Sequence, residues 1–486
     1  MNCSRVMLIA ALFYAPLGWG SDISEKNAEK VREVLDAALA AHGGAERLAA
    51  LRSFGVEFED INIAVGQSRK AEPPLDRAPS LGSAAIGLDD SVFVQRAAGV
   101  GGGFEFDNGT VINGEASYQF NFRNGNKALI AQPDFATTSG PFVRVSPTLL
   151  VLQLRDRAQN AYYLGSDKVD GEKHDVIGLS MSVGPGISLF FSRATGLLTH
   201  SERVLPGFGK VEYRFDDYQT VSGIPVNARF TLLVNGEENI LRTNQRTLIN
   251  PDLAPMLDVG TDLADAPPVV AQPVRVLRLA EGVYHVGGNG TYALFVDQGD
   301  HLLAVGGTAG VPERAAMLRA EIGDKPIREA AMTHHHSDHI LAVAAYEQEG
   351  ATIHAAASHE AVIRGAAADP AGLKFAAVES RARIGEGPIT VEMVDIGPTA
   401  HAEHLLVAWL PEQGILFEAD HFAMPAAGPV QAAAAPTQDF AKALDRLGIE
   451  PTRIVSAHSP RPGSMADLAE ALRLEAERVQ KLSAAR

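Results

Sequence analysis

Thr333-His334-His335-His336-Ser337-Asp338-His339 decides the reading of this chain, because it sets potential metal ligands in the spacing His-x-His-x-Asp-His. In an extended or loop segment, residues two apart project the same way. His334 and His336 can therefore grip one cation while Asp338 and His339 turn towards a second. Imidazole nitrogens and a carboxylate, with no thiolate, suit zinc and also admit iron or manganese. The competing reading of a His-rich run is a solvated surface loop, and the downstream sequence argues against it.

A two-metal site of this kind needs a further His for each ion and a carboxylate between them. The chain supplies all three, each after an apolar run. Ile389 to Ile396 reads as a strand, and the turn Gly397-Pro398-Thr399-Ala400 delivers His401. Leu405 to Leu410, the turn Pro411-Glu412-Gln413-Gly414 and Ile415 to Phe417 read as a hairpin whose second strand leads to Asp420. Arg453 to Ala457 is a short strand of buried type ending at His458, just as Ile327 to Met332 leads into Thr333. Strand ends meeting on one rim make a site of the kind that carries catalysis, loops held by a rigid sheet.

From about Val274 to His458 these residues resemble the metallo-β-lactamase superfamily in order and context as well as in ligand type. Gly282-Val283-Tyr284-His285 comes first, then paired strands Tyr292 to Val296 and His301 to Val305, then Lys325-Pro326-Ile327-Arg328 ahead of the His motif. The resemblance implies an αββα sandwich with two zinc ions as cofactors, iron or manganese being admissible. It places the first ion on His334, His336 and His401 and the second on Asp338, His339 and His458, with Asp420 bridging. The chain departs from the family pattern at Ile340-Leu341, where two glycines commonly stand, at Ala419 before the bridging Asp, and at Ser459 after the last His. These departures imply a more weakly held second metal. Asp420 itself resembles the glyoxalase II and lactonase branches, since true zinc β-lactamases generally carry Cys or Ser there.

The implied chemistry is hydrolysis. Two dications flanking a water lower its pKa from about 15.7 towards 7, which yields a metal-bound hydroxide able to attack an ester, lactone, thioester or amide carbonyl. Asp338 is then both a ligand and the candidate catalytic residue that takes the proton. His335, between two ligands, reads as a spacer facing the other way, and His421 and His404 as supporting or substrate-facing groups. His354 and His359 read as ordinary residues, and Tyr292 and Asn289 as part of a turn.

The first half of the chain has a different character. Residues 1–20 read as an export signal, with Arg5, an apolar stretch from Val6 to Leu17 and small residues before Ser21, which predicts a periplasmic or secreted protein. Removing it also removes Cys3, the single cysteine, so no disulfide is expected. Residues 21–250 read as a β-rich domain. It opens with an amphipathic helix, Ala28 to Ala41, and continues as an antiparallel meander punctuated by Asp107-Asn108-Gly109, Val169-Asp170-Gly171 and Asn235-Gly236. The pattern resembles a lipoprotein-carrier type of half-barrel, which implies a surface for apolar ligands. Gly101-Gly102-Gly103 lacks the Lys and the helix that a phosphate loop requires. A Pro-rich, acidic linker is expected at 251–273, followed by the hydrolase domain at 274–486. The fold class is therefore α+β.

A net charge of −17 over 486 residues argues against nucleic acid and against anionic membrane surfaces. The apolar N-terminal stretch is short for a membrane span. The expected partner is a small molecule, with an apolar one fitting the half-barrel; oligomeric state is left open. Three functions compete: an exported di-zinc hydrolase, a mono-iron oxygenase-type member of the same fold, and a periplasmic ligand-binding protein with a residual hydrolase domain.

Overall fold

The computed structural model describes residues 21–114, 117–206, 208–267 and 271–484. The expected export signal lies outside the described residues. The architecture is mixed α and β with large sheets, divided into two compact units.

The first unit comprises Met1–Glu57, Ala84–Phe93 and Pro133–Leu253. Its opening helix spans Ser21–Ala41, seven residues longer at its start than the periodicity predicts, and buries Val31, Val34, Leu35 and Ala38. It packs on the strand Ala161–Val169 and on a helix at Pro147–Asp156. That second helix is apolar nearly all round, with Leu149 to Leu152 and Leu154 buried, so its sequence carries no 3.6-residue period to announce it. It covers the strands Leu198–Leu205 and Ile224–Val234, so the chain's own side chains fill this part of the sheet face. From Ala161 to Ile249 seven strands follow one another as antiparallel neighbours. Asp170 and Asn235 turn the chain with φ of 49° and 52°, the left-handed geometry that Asp and Asn tolerate.

The second unit joins Phe58–Ser83 and Val94–Gln132 to Ala254–Arg486. The expected division, at 250 and 274, places Phe58–Ser83 and Val94–Gln132 with the first half of the chain instead. The strands β1 (Ser53–Ile63), β2 (Arg77–Gly87) and β3 (Phe93–Gly101) each cross a unit boundary, and β4 (Phe104–Ile112) lies wholly in the second unit. Described residues of the expected linker are tied to their neighbours. Ala264–Asp265 pairs in parallel with Asn126 and Lys127, and the Tyr118 hydroxyl donates to the Leu257 carbonyl at 3.1 Å. Proline content breaks regular structure there without freeing the segment from its neighbours.

Two further sheets occupy Arg275 to Ser456. One has seven strands, antiparallel from Arg275 to Val305 and parallel from Leu302 to Val378; the other has five, with Ile415–Glu418 and Arg453–Ser456 parallel at its end. Strand alternation sorts their apolar residues into separate clusters. Leu294 and Val296 of the first sheet meet Met393, Ala408, Phe417 and Val455 of the second. Phe295 and Ile353 face Leu318 and Tyr346 on helices Val311–Ile322 and Val343–Gln348. Val407 and Ile454 face Phe440 and Leu468 on helices Ala435–Leu447 and Met465–Ala484. Both faces of each sheet are thus covered, which explains strands that read as continuous apolar runs. Among the described residues, no helix is long and apolar enough to cross a membrane.

His285 sits inside the second unit, fully buried against Tyr292 at a ring separation of 4.9 Å, and donates from Nε2 to the Ser456 carbonyl at 3.1 Å. Burial pushes its pKa down to about 4 from 6.5. The folded state thus binds this proton less readily than the unfolded chain, so His285 leaves stability intact above pH 6.5 and costs stability as pH falls towards 4. Lowering the pH from 7 to 4.5 should lower the melting temperature, and His285→Gln should flatten that dependence, the effect being on the order of 2 kcal/mol. An unchanged slope in the variant, followed by circular dichroism melting, would remove His285 as a cause.

Candidate metal centre

The strand Ile327–Ala331 ends just short of Thr333, whose carbonyl accepts the Leu406 amide at 2.8 Å and fixes the start of the His motif. A single 3-10 turn, Ser337–His339, then rotates Asp338 and His339 away from His334 and His336. His334, His336 and His339 are fully buried, whereas the Asp338 side chain is 50% exposed. Asp420 follows the strand Ile415–Glu418 with φ at 66°, a left-handed conformation that costs energy for a residue with a Cβ and aims its carboxylate inward.

The structure brings every predicted ligand together. His334, His336, His401 and Asp420 form one group of donor atoms, and Asp338, His339 and His458 a second, each within 4.8 Å. Asp420 Oδ2 lies 3.2 Å from Nε2 of both His334 and His401 and 2.9 Å from Nε2 of His339. Its Oδ1 lies 2.9 Å from His458 Nε2. One carboxylate therefore touches both groups.

Hydrogen bonds on the far side of the rings settle which nitrogens face inward. His401 Nδ1 donates to the Gly102 carbonyl at 2.7 Å, His336 Nε2 to the Ser68 carbonyl at 3.0 Å and His458 Nδ1 to the Gly290 carbonyl at 3.1 Å. Each of those nitrogens carries the proton, so the other presents a lone pair. The freed Nδ1 of His336 is buried with no hydrogen-bond partner. The freed Nε2 of His401 lies 3.3 Å from Nε2 of His334, and that of His458 lies 3.2 Å from Nε2 of His339. Buried ring nitrogens turned on one another, as at His334 and His401, favour a cation between them, and a borderline divalent metal fits this donor set.

The electrostatics agree. Burial holds His334 well below its usual range and His336 down at about 3, so both stay neutral and able to ligate. Burial also opposes charge on His339, but Asp420 and Asp338 outweigh it and push its pKa up to about 9. Burial likewise opposes charge on Asp420, yet His339 and the surrounding imidazoles hold its carboxyl well below the carboxylate range. A site that stabilises a proton on His339 also favours a dication, whose binding would release that proton.

The residues that sequence reading missed come from Phe58–Ser83 and Val94–Gln132. The Gln67 amide donates to Asp338 Oδ1 at 2.8 Å, the Gly66 carbonyl accepts the Ser337 amide at 2.9 Å, and the Arg69 carbonyl accepts the Glu403 amide at 2.8 Å. Phe104 sets its edge on His401 at 5.5 Å. Gly103, at φ 84°, approaches so closely that a Cβ there would stand 2.5 Å from the Ala400 carbonyl oxygen. The glycine run dismissed as a phosphate loop is thus a close-approach segment beside His401. Its glycines were the available signal, and nothing local tied them to a residue some three hundred positions away.

Other expectations resolve individually. His335 belongs to neither group of candidate ligands and donates to the Ser68 carbonyl at 2.9 Å, the acceptor it shares with His336, with His359 packed on its ring. His421 is buried between the Ala419 carbonyl and the Thr399 hydroxyl and supports the loop carrying His401. His404 bonds Asp395 at 2.7 Å and His354 bonds Glu329 at 3.3 Å. Tyr292 is a buried strand residue, contrary to the turn reading, with its hydroxyl donated to Gln272. In the first unit His200 meets Glu202 and Glu212 from paired strands, a grouping invisible in the sequence. Lys210 already neutralises those carboxylates at 2.8 and 3.2 Å.

No protein-family model matches the chain, and no curated protein matches it. Among solved structures it is similar to a metallo-beta-lactamase from Pseudomonas aeruginosa in its mono-zinc form, at 23% identity over 42% of this chain and 96% of that one, with a TM-score of 0.34. It is also similar to metallo-beta-lactamases from Pontibacter korlensis (19% identity, 42% and 99% covered, TM-score 0.34) and Hirschia baltica (21%, 42% and 98%, TM-score 0.33). The functional conclusion is drawn from the side chains themselves.

Because the Gln67 amide donates to Asp338, Gln67→Ala should weaken metal binding at the group Asp338, His339 and His458 about 10- to 100-fold and leave binding at the group His334, His336 and His401 in place. Competition titration with a chromogenic chelator measures both; equal affinities in variant and parent would deny Gln67 that role.

Proposed function

We propose that this chain is an exported metal-dependent hydrolase with the αββα sandwich of the metallo-β-lactamase superfamily, acting on an ester, lactone, thioester or amide carbonyl. The observation that carries the reading is Asp420, whose Oδ2 lies against His334 and His401 of one group and His339 of the other while its Oδ1 reaches His458. On this reading His334, His336 and His401 hold the first zinc, Asp338, His339 and His458 hold the second, and Asp420 bridges. The three apolar clusters between sheets and helices support the sandwich. The pattern of residues 1–20 supports export to the periplasm. The bridging carboxylate favours the glyoxalase II and lactonase branches.

When bound, the two dications supply a water acidic enough to ionise near neutral pH and polarise the carbonyl under attack. The chain's own residues do the rest. Asp338 is the exposed member of the centre, so it meets incoming substrate and accepts the proton lost in the attack. Gln67 occupies Asp338 Oδ1 and leaves Oδ2 directed towards His339, at 3.3 Å. The carbonyls of Ser68 and Gly102 keep His336 and His401 in the tautomers that ligation requires.

Protein purified without added metal or chelator should contain about two zinc ions per chain, and His334→Ala should lower hydrolysis of a responsive ester or lactone at least about a hundredfold. Elemental analysis and a substrate screen measure this. One iron with oxygen consumption would replace the proposal by oxygenase chemistry, and no metal after reloading would replace it by ligand binding.

A further inference from the structure

A cleft of about 710 Å³ opens beside the centre, and one wall is built from β1 to β4. Its volume is in the range of sites that hold drug-sized ligands. Four members of the metal centre form its floor at one end: Asp338, His401, Asp420 and His458. The wall is a single sheet face, because Asp60, Asn62 and Ala64 alternate along β1 and its end, Ala78 and Ser80 along β2, and Phe104 and Phe106 along β4. Small side chains line its middle, Ala64, Ala78, Ser80 and Ala97, and leave a trough. Val100, Phe104 and Phe106 flank it with apolar surface, and Val100 stays 46% exposed next to a highly polar centre.

The trough has a direction. Gln67 contacts Asp338, so β1 runs away from the centre as its numbers fall, and Asp60 lies about 13 Å along the strand from Ala64. It also has a charge character. No Lys or Arg is among the lining residues of the cleft, so along the sheet face nothing offers a negatively charged tail a counter-charge. Asn62 and Ser80 already bond each other at 2.9 Å, which spends hydrogen-bonding capacity that a polar tail would need.

We infer that the β1–β4 face is the arm of the site that receives the tail of the substrate, and that this tail is an uncharged apolar chain attached to the scissile carbonyl. The inference rests on the hydrolase reading for the identity of the reacting end. The arm itself rests on the shape and lining of the cleft. It places substrate selection in a segment remote in sequence from the metal motif.

The test is calorimetric titration of the protein carrying its metal with acetate, butyrate, octanoate and suberate, whose carboxylate supplies a common head. Octanoate should bind at least tenfold more tightly than butyrate, since full burial of the added methylenes is worth on the order of a hundredfold. Suberate, with a second carboxylate at the tail, should bind at least tenfold more weakly than octanoate. Ala97→Phe fills the trough and should weaken octanoate at least tenfold with metal content retained. Equal affinities for butyrate and octanoate, or for octanoate and suberate, would overturn the inference. Selective octanoate binding with no hydrolysis of p-nitrophenyl octanoate would uphold the arm and sink the hydrolase reading. Hydrolysis of p-nitrophenyl acetate and octanoate with equal KM would do the reverse.

Discussion

The Asp420 carboxylate is the point on which the centre depends. It is nearly buried, it has acceptor nitrogens on both sides, and it is reached through a backbone conformation that a non-glycine residue adopts at a cost. Such a group is tolerable only where positive charge is concentrated around it. The parallel pairing of Ile415–Glu418 with Arg453–Ser456 brings Asp420 and His458 to the same rim, and the Thr333 carbonyl ties the His motif to the start of the strand Leu406–Leu410. Strands covered by apolar clusters on both faces hold those ends with little freedom, so the ligands are arranged before any metal arrives.

The outer ends of β1 to β3, together with β4, alter what the centre is. The loops that join these strands supply the Ser68 and Gly102 carbonyls, which select the ring nitrogens that face inward, and Gln67, which restrains the exposed carboxylate, while the strands' shared face shapes the cleft. A boundary drawn by composition, at the proline-rich stretch beginning near 251, separates these residues from the site they complete. Composition reports where the chain cannot form regular structure; it does not report which segments bury surface against one another.

Several readings were accessible without coordinates because they depend on local periodicity. The apolar positions of Ser21–Ala41, the Asn235-Gly236 turn and the hairpin around Pro411 to Gly414 each follow from residue spacing and turn chemistry. The helix Pro147–Asp156 escaped because it is buried on nearly all sides and so has no polar face to set a period. Tyr292 was legible as the start of a strand from the apolar residues after it, although the glycines before it also suggested a turn. His335, expected on the opposite side from its neighbours, instead shares the Ser68 carbonyl with His336, because the loop does not keep strict alternation.

The spacing His-x-His-x-Asp-His and the strand-end positions of His401, Asp420 and His458 were enough to single out these side chains as candidates, because donor type and local direction are legible in sequence, while their division between two ions came only from a family resemblance. That Asp420 touches both groups, that His336 presents Nδ1 while His401 and His458 present Nε2, and that Gln67, Ser68, Gly102 and Phe104 stand beside them were decided by tertiary structure alone. These are contacts between segments up to about three hundred residues apart. Their energies arise from desolvation and hydrogen bonding in a shared interior, which no local pattern of residues encodes.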